Sequence, residues 1–219
     1  MSLKNKSYLK IGRHYTECFK KHGDSNFGVD WPNEDDAIRR YEVMLNTIFN
    51  DARLKKYNIL DFGCGTSALY DYIIKKNLDD KINYTGIDIS EEYIKTSKEK
   101  YPNNTYYFQD ILDGNITLNE YDFILLNGVF TQSLSLSDND MFDFVKSIII
   151  KLFPYSRYGL YFNVMSPVVD YKRSGAFHLS FEQVSEFLCE NITRSFTLNH
   201  NYMPYEYFVC AYKDDDFYS

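Results

Sequence analysis

Three aspartates, each near the end of a short apolar run, carry the chemistry this sequence suggests. The first lies in Ile59-Leu60-Asp61-Phe62-Gly63-Cys64-Gly65-Thr66-Ser67. Glycines in such a turn let the backbone pass close to a ligand, and the helix that follows offers N–H groups at its start. The spacing Gly63, Gly65, Ala68 also satisfies a loose dinucleotide fingerprint. Asp61 argues for a different ligand. Two residues before the first glycine, a carboxylate repels a pyrophosphate but suits a ligand carrying an ammonium group. Asp88 ends the next run, in position to accept hydrogen bonds from both hydroxyls of a ribose. Asp110, in Phe108-Gln109-Asp110-Ile111, can accept from an adenine amino group.

These acids need a frame, and the hydrophobic pattern supplies one. Lys56–Asp61, Ile82–Asp88, Thr105–Gln109, Tyr121–Leu126 and Tyr158–Met165 read as buried strands. Between and after them, Thr66–Lys76, a segment capped by Ser90, Asp138–Phe153 and Phe181–Cys189 read as helices. Such alternation implies a parallel sheet covered by helices on both faces. The tail differs. Ile192–Leu198 and Tyr205–Tyr212 alternate as two strands joined by Asn199–Pro204, an antiparallel hairpin appended to the sheet. Upstream, Asn33 caps a helix whose apolar face is Ile38, Tyr41, Leu45, Ile48 and Phe49, while the first 30 residues show no clear periodicity.

Composition narrows the function. At 219 residues, 44% hydrophobic and 25% charged, the chain suits one globular domain, residues 1–219. A net charge of -7 without a basic arm argues against nucleic-acid binding. Aromatic residues make up 18%, which fits either a base-composition bias or an aromatic-lined pocket. Cys18, Cys64, Cys189 and Cys210 lie far apart and suggest neither a zinc site nor a disulfide frame. No metal site is expected. The longest apolar runs are too short to span a bilayer and no signal-peptide core follows Met1, so a cytoplasmic location is expected.

The order DxGxGxS, GIDIS, FQDI and YDFILLNGVF resembles motifs I to IV of class I, Rossmann-like S-adenosylmethionine-dependent methyltransferases. The resemblance implies a three-layer α/β/α fold, mostly parallel with a C-terminal antiparallel hairpin. Residues 1–52 would form an N-terminal helical cap and 53–219 the core. It implies that S-adenosyl-L-methionine binds at Arg40, Asp61, Gly63, Gly65, Asp88, Ile89, Asp110, Ile111 and Asn127, leaving S-adenosyl-L-homocysteine as product. Ser67 stands where the usual third glycine would be, small enough for the first helical turn. Val29-Asp30-Trp31, Arg40–Leu45, Phe162-Asn163-Val164 and His200–Tyr207 extend the likeness to a small bacterial group of mostly unassigned substrate. Arg40 reads either as a clamp on a methionine carboxylate or as a solvated helix arginine, and Arg39 competes for the role.

The acceptor is less legible. The fourth strand ends Leu126-Asn127-Gly128-Val129-Phe130, not the Asn/Asp-Pro-Pro-Tyr/Phe motif associated with methylating base amines. A small-molecule oxygen is the first expectation and a small-molecule amine the second. The segments 14–31, 166–178 and 200–205 are expected to cover it, because specificity is commonly carried by loops on a rigid sheet. Within them His200 is the candidate general base, with a structural turn histidine as the alternative. Trp31, Tyr171, His178, Tyr202 and Tyr205 are the candidate substrate contacts. Two other classes stay open, a nicotinamide-dependent oxidoreductase and a non-catalytic S-adenosylmethionine-binding module. Oligomeric state is not readable from the sequence.

Overall fold

Seven strands make up one mostly parallel sheet in this computed structural model, which describes residues 6–31, 33–51, 53–114 and 116–213. The chain divides into two compact units, one being Leu9–Asp110 and the other the residues on either side of it.

In the Leu9–Asp110 unit, β1 (Tyr57–Phe62), β2 (Ile82–Asp88) and β3 (Thr105–Phe108) are parallel in the order β3-β2-β1. The apolar runs explain the two inner strands: Ile59, Leu60 and Ile87 are fully buried. Four helices accompany them, α1 (Leu9–His22), α2 (Glu34–Asp51), α3 (Ala68–Lys75) and α4 (Glu91–Lys100). Helix α2 begins as expected, with the Asn33 side chain accepting from the Asp35 N–H at 3.1 Å and acids in its first turn.

Three expectations need correction here. Residues 9–22 are helical where no periodicity was evident. The buried side of α1 mixes aliphatic, aromatic and small residues: Ile11 is buried, Phe19 meets Tyr93 edge-on, and Gly12 lies close to Ile89. Helix α3 starts at Ala68, not Thr66, because Ser67 is left-handed at φ 67° and blocks the earlier turn. Ser90 stands at the N-cap of α4, yet its hydroxyl accepts from Thr16 Oγ at 3.1 Å and does not bond the helix backbone.

In the other unit the order is β4-β5-β7-β6, with β4 (Tyr121–Leu126) parallel to β5 (Ser156–Met165). β7 (Glu206–Tyr212) runs antiparallel to both β5 and β6 (Phe196–Asn199), which is the expected terminal hairpin. All six residues of β4 are buried, as befits a strand covered on both faces. Helix α5 (Asp138–Leu152) is capped by Ser137 and α6 (Phe181–Asn191) by Ser180, each hydroxyl accepting a backbone N–H at 3.1 Å.

Candidate functional site

In the first unit the glycine turn leaves the C-terminal end of β1. Gly63 and Gly65 have φ of 73° and 54°, the left-handed region that a side chain makes costly. The turn N–H groups are less available than the sequence suggests. Gly63 and Cys64 both donate to the Ile87 carbonyl, at 2.8 and 3.1 Å, and Gly65 donates to Asp88 Oδ2 at 2.9 Å. What the turn offers a ligand is close approach.

Ser67 continues the left-handed pattern, so it occupies a glycine-like conformation with a side chain attached. Its buried hydroxyl donates to Ser97 Oγ at 2.8 Å and lies 3.1 Å from the Tyr106 hydroxyl, while Ser97 Oγ donates to the Gly65 carbonyl at 3.1 Å. This network offsets the backbone strain of about 1–2 kcal/mol. Ser67→Ala keeps the strain and strips the partners. It is expected to lower unfolding free energy by about 1–3 kcal/mol in a urea titration, with Ser67→Gly milder. A neutral Ala variant would contradict the network's importance.

Asp61 and Asp88 are both buried. Asp61 accepts the Tyr84 hydroxyl at 2.6 Å, and burial raises its pKa to about 7 despite that bond. Asp88 accepts from the backbone N–H of Ser90 at 2.8 Å as well as from Gly65, and burial raises its pKa to about 6. Burial is the largest influence on both, hydrogen bonds oppose it, and the Asp88 charge raises Asp61 further; among the described residues no cation is one of the influences on either carboxylate. A bound cation would relieve them.

Arg40 is buried, not solvated, with its guanidinium over the Trp31 ring at 4.7 Å. Trp31 in turn tilts against Tyr41 at 6.3 Å. Burial and the Asp61 charge push the Tyr41 hydroxyl up while Arg40 pulls it down, so an acid and a base act on one spot. Ile89 is half-buried beside Gly12, and Asp110 is half-buried two residues beyond β3.

In the second unit Ile111 is buried, and Asn127 follows β4 with its amide in an unusual state. Both Asn127 Oδ1 and Nδ2 are buried without a hydrogen-bond partner. The next residue is well tied: Gly128 N–H donates to Asn163 Oδ1 at 2.7 Å, and Asn163 Nδ2 to Glu206 Oε1 at 3.2 Å. Tyr202 donates to the same Glu206 oxygen at 2.6 Å, so its hydroxyl serves this buried network. Tyr205 is half-buried, and its carbonyl accepts the Ser166 N–H at 2.9 Å, joining the 200–205 and 166–178 segments. Tyr171 is exposed.

The two histidines contrast. His200 is exposed, with its ring edge-on to Phe181 at 5.8 Å. His178 lies beside Met165 at the end of β5, and its Nδ1 sits 2.6 Å from the Ser166 carbonyl. A carbonyl only accepts, so Nδ1 carries the proton and the neutral ring has a bare Nε2. That Nε2 is buried without a partner. Sequence reasoning named His178 a substrate contact and missed this fixed tautomer, which depends on a backbone carbonyl twelve residues away.

The known proteins that this chain resembles are methyltransferases. Residues 60–149 match a family model described as a methyltransferase domain. A Mycobacterium tuberculosis protein named as a methyltransferase is 24% identical over 159 residues, covering 72% of this chain and 93% of that one. Malonyl-[acyl-carrier protein] O-methyltransferase 1 of Ilyobacter polytropus is 36% identical over 116 residues, 51% of this chain and 42% of its own length. Among solved structures, magnesium protoporphyrin IX methyltransferase from Synechocystis PCC 6803 superposes with a TM-score of 0.64 at 15% identity, covering 94% of this chain and 99% of that one. Its likeness is one of fold, and the sheet described above is that fold. Residues 60–149 thus match a methyltransferase domain, and the sheet has the Rossmann-like fold of S-adenosylmethionine-dependent methyltransferases.

Proposed function

We propose that the protein transfers the methyl group of S-adenosyl-L-methionine to a small-molecule acceptor, first of all to an oxygen. The observation that carries the cofactor assignment is the pair of buried carboxylates, Asp61 and Asp88, raised chiefly by burial with no countercharge among the described residues. S-adenosylmethionine brings an ammonium, a sulfonium and a ribose diol, the complement such acids lack. In this reading Asp61 takes the ammonium, Arg40 the carboxylate and Gly63 and Gly65 allow close approach. Asp88 takes the ribose hydroxyls through its remaining lone pairs. Asp110, Ile89 and Ile111 border the adenine, and Asn127 supplies an amide whose hydrogen-bonding capacity is otherwise unspent.

When bound, the cofactor supplies an electrophilic methyl on a sulfonium. The chain's task is alignment near about 3–3.5 Å and exclusion of water. Where the acceptor carries a proton, His178 Nε2 is better placed than His200 to receive it, being bare and buried. A name among the relatives, the O-methyltransferase of Ilyobacter polytropus, supports oxygen as the acceptor atom. Trp31, Tyr171, Tyr202 and Tyr205 remain proposed substrate contacts, and Tyr202 acts partly through Glu206. Among the described residues no helix is long and apolar enough to cross a membrane.

Calorimetry with S-adenosylhomocysteine tests the assignment. Asp88→Ala is expected to weaken binding at least about tenfold, each charge-assisted hydrogen bond being worth roughly 1.5–3 kcal/mol. Because Asp88 also anchors Gly65 and Ser90, the same variant should lose some stability. Absence of binding by the wild-type protein at millimolar concentration, or NADH binding in its place, would defeat the reading.

A further inference from the structure

A second cluster of chemically capable side chains lies apart from the acids of the strand ends. His14 and Cys18 are one turn apart on α1, and Asp30 reaches them from the loop that follows. His14 Nε2 stands 3.0 Å from Asp30 Oδ2 and 3.6 Å from Cys18 Sγ, and the three ligand atoms all lie within 4.8 Å of one another. All three residues are half-buried, so an ion can reach them.

We propose that His14, Cys18 and Asp30 form a zinc-type divalent metal site. Three donor types that suit zinc converge on one point. With metal bonds of about 2.0 Å to nitrogen and oxygen and 2.3 Å to sulfur, tetrahedral edges come to about 3.3 Å for N···O and 3.5 Å for N···S. The two measured separations fall close to those edges. Without a metal His14 and Asp30 share one hydrogen bond, and the Cys18 thiol has only a weak contact with the same nitrogen. One ring nitrogen faces both a carboxylate and a thiol, and it can carry only one proton. A cation satisfies nitrogen, sulfur and oxygen together, with the Cys18 proton released to solvent on binding.

The surroundings hold this geometry in place. Tyr93 Oη lies 2.9 Å from the Tyr15 carbonyl and 2.8 Å from the Gly28 carbonyl, tying α1 to the loop that carries Asp30. The neighbouring Val29 lies over the glycine turn, 3.5 Å from where a Cβ on Gly65 would be. The ion thus clips the loop that borders that turn, with three protein ligands and a fourth position for water. The widely spaced cysteines gave no hint of this, since a single cysteine contributes and the other ligands come from folding.

Cobalt(II) titration of the full chain tests the site without any methyl acceptor. The expected result is one ion per chain with tetrahedral d–d absorption and a thiolate-to-cobalt charge-transfer band, displaced by zinc. Cys18→Ser should abolish the charge-transfer band, and His14→Gln and Asp30→Asn should each weaken binding at least about tenfold, since even outer-shell changes cost 10–100-fold. Cys189→Ser, which removes the exposed cysteine, should change nothing. Circular dichroism verifies that each variant is folded. No stoichiometric binding by the wild type, or a band that survives Cys18→Ser, overturns the proposal. Neither outcome bears on S-adenosylhomocysteine binding, which is measured separately.

Discussion

Asp61→Asn is expected to weaken S-adenosylhomocysteine binding by about 10²–10³-fold, because it leaves a buried ammonium without its counterion. The wild-type affinity should also depend on pH with a defined sign. An ammonium prefers the ionised carboxylate, and burial raises the Asp61 pKa to about 7. Affinity should therefore rise as pH increases toward 7 and level off above it, and the proton released near pH 6.5 should appear in calorimetry as a buffer-dependent heat. The stability of the ligand-free protein runs the other way. Asp61 and Asp88 bind protons more tightly folded than unfolded, so their contribution is present below pH 4 and is lost as pH rises through about 6 to 7. Equal affinity at pH 5.5 and 8, in a folded wild type, would show that Asp61 does not meet the ammonium.

His178→Ala is expected to lower turnover by about 10²–10⁴-fold on any acceptor whose reacting atom carries a proton, while S-adenosylhomocysteine affinity stays nearly unchanged. His200→Ala, at an exposed ring packed on Phe181, is expected to change turnover far less. In that role His178 Nε2 would take the proton of the acceptor atom, and bound S-adenosylmethionine would supply the electrophilic methyl group. Nitrogen-15 shifts of His178 supply a check that needs no acceptor: the neutral ring should show a protonated Nδ1 and a bare Nε2. The opposite tautomer, or normal turnover in His178→Ala with a large loss in His200→Ala, would return the role of base to His200.

Some of this was readable in the residues and some was not, for physical reasons. Ile82–Asp88 and Tyr121–Leu126 are bounded in the structure as the sequence suggests, because apolar runs between polar turns have few alternative readings. The hairpin strands are shorter than expected, Phe196–Asn199 and Glu206–Tyr212, since alternation persists beyond the hydrogen-bonded ladder. Helix α1 was missed although it separates apolar from charged residues by face, because that face mixes Ile11 with Gly12, Tyr15 and Phe19 and is not an aliphatic stripe. The acids at the strand ends were visible because a strand's end is a local property. The tautomer of His178, the orphaned amide of Asn127 and the convergence on His14 were not, for each depends on which distant backbone or loop folding brings alongside.

Asp88 has a consequence for how the two halves of a ligand communicate. Its one carboxylate holds the Gly65 and Ser90 N–H groups and, in the proposed assignment, the ribose as well. Nucleoside recognition and the shape of the amino-acid subsite then share a single group, and their free energies are not independent. Adenosine and methionine offered as separate fragments should bind synergistically, each tightening the other by the same factor, since linkage is reciprocal. In Asp88→Asn that mutual tightening should fade even where each fragment still binds.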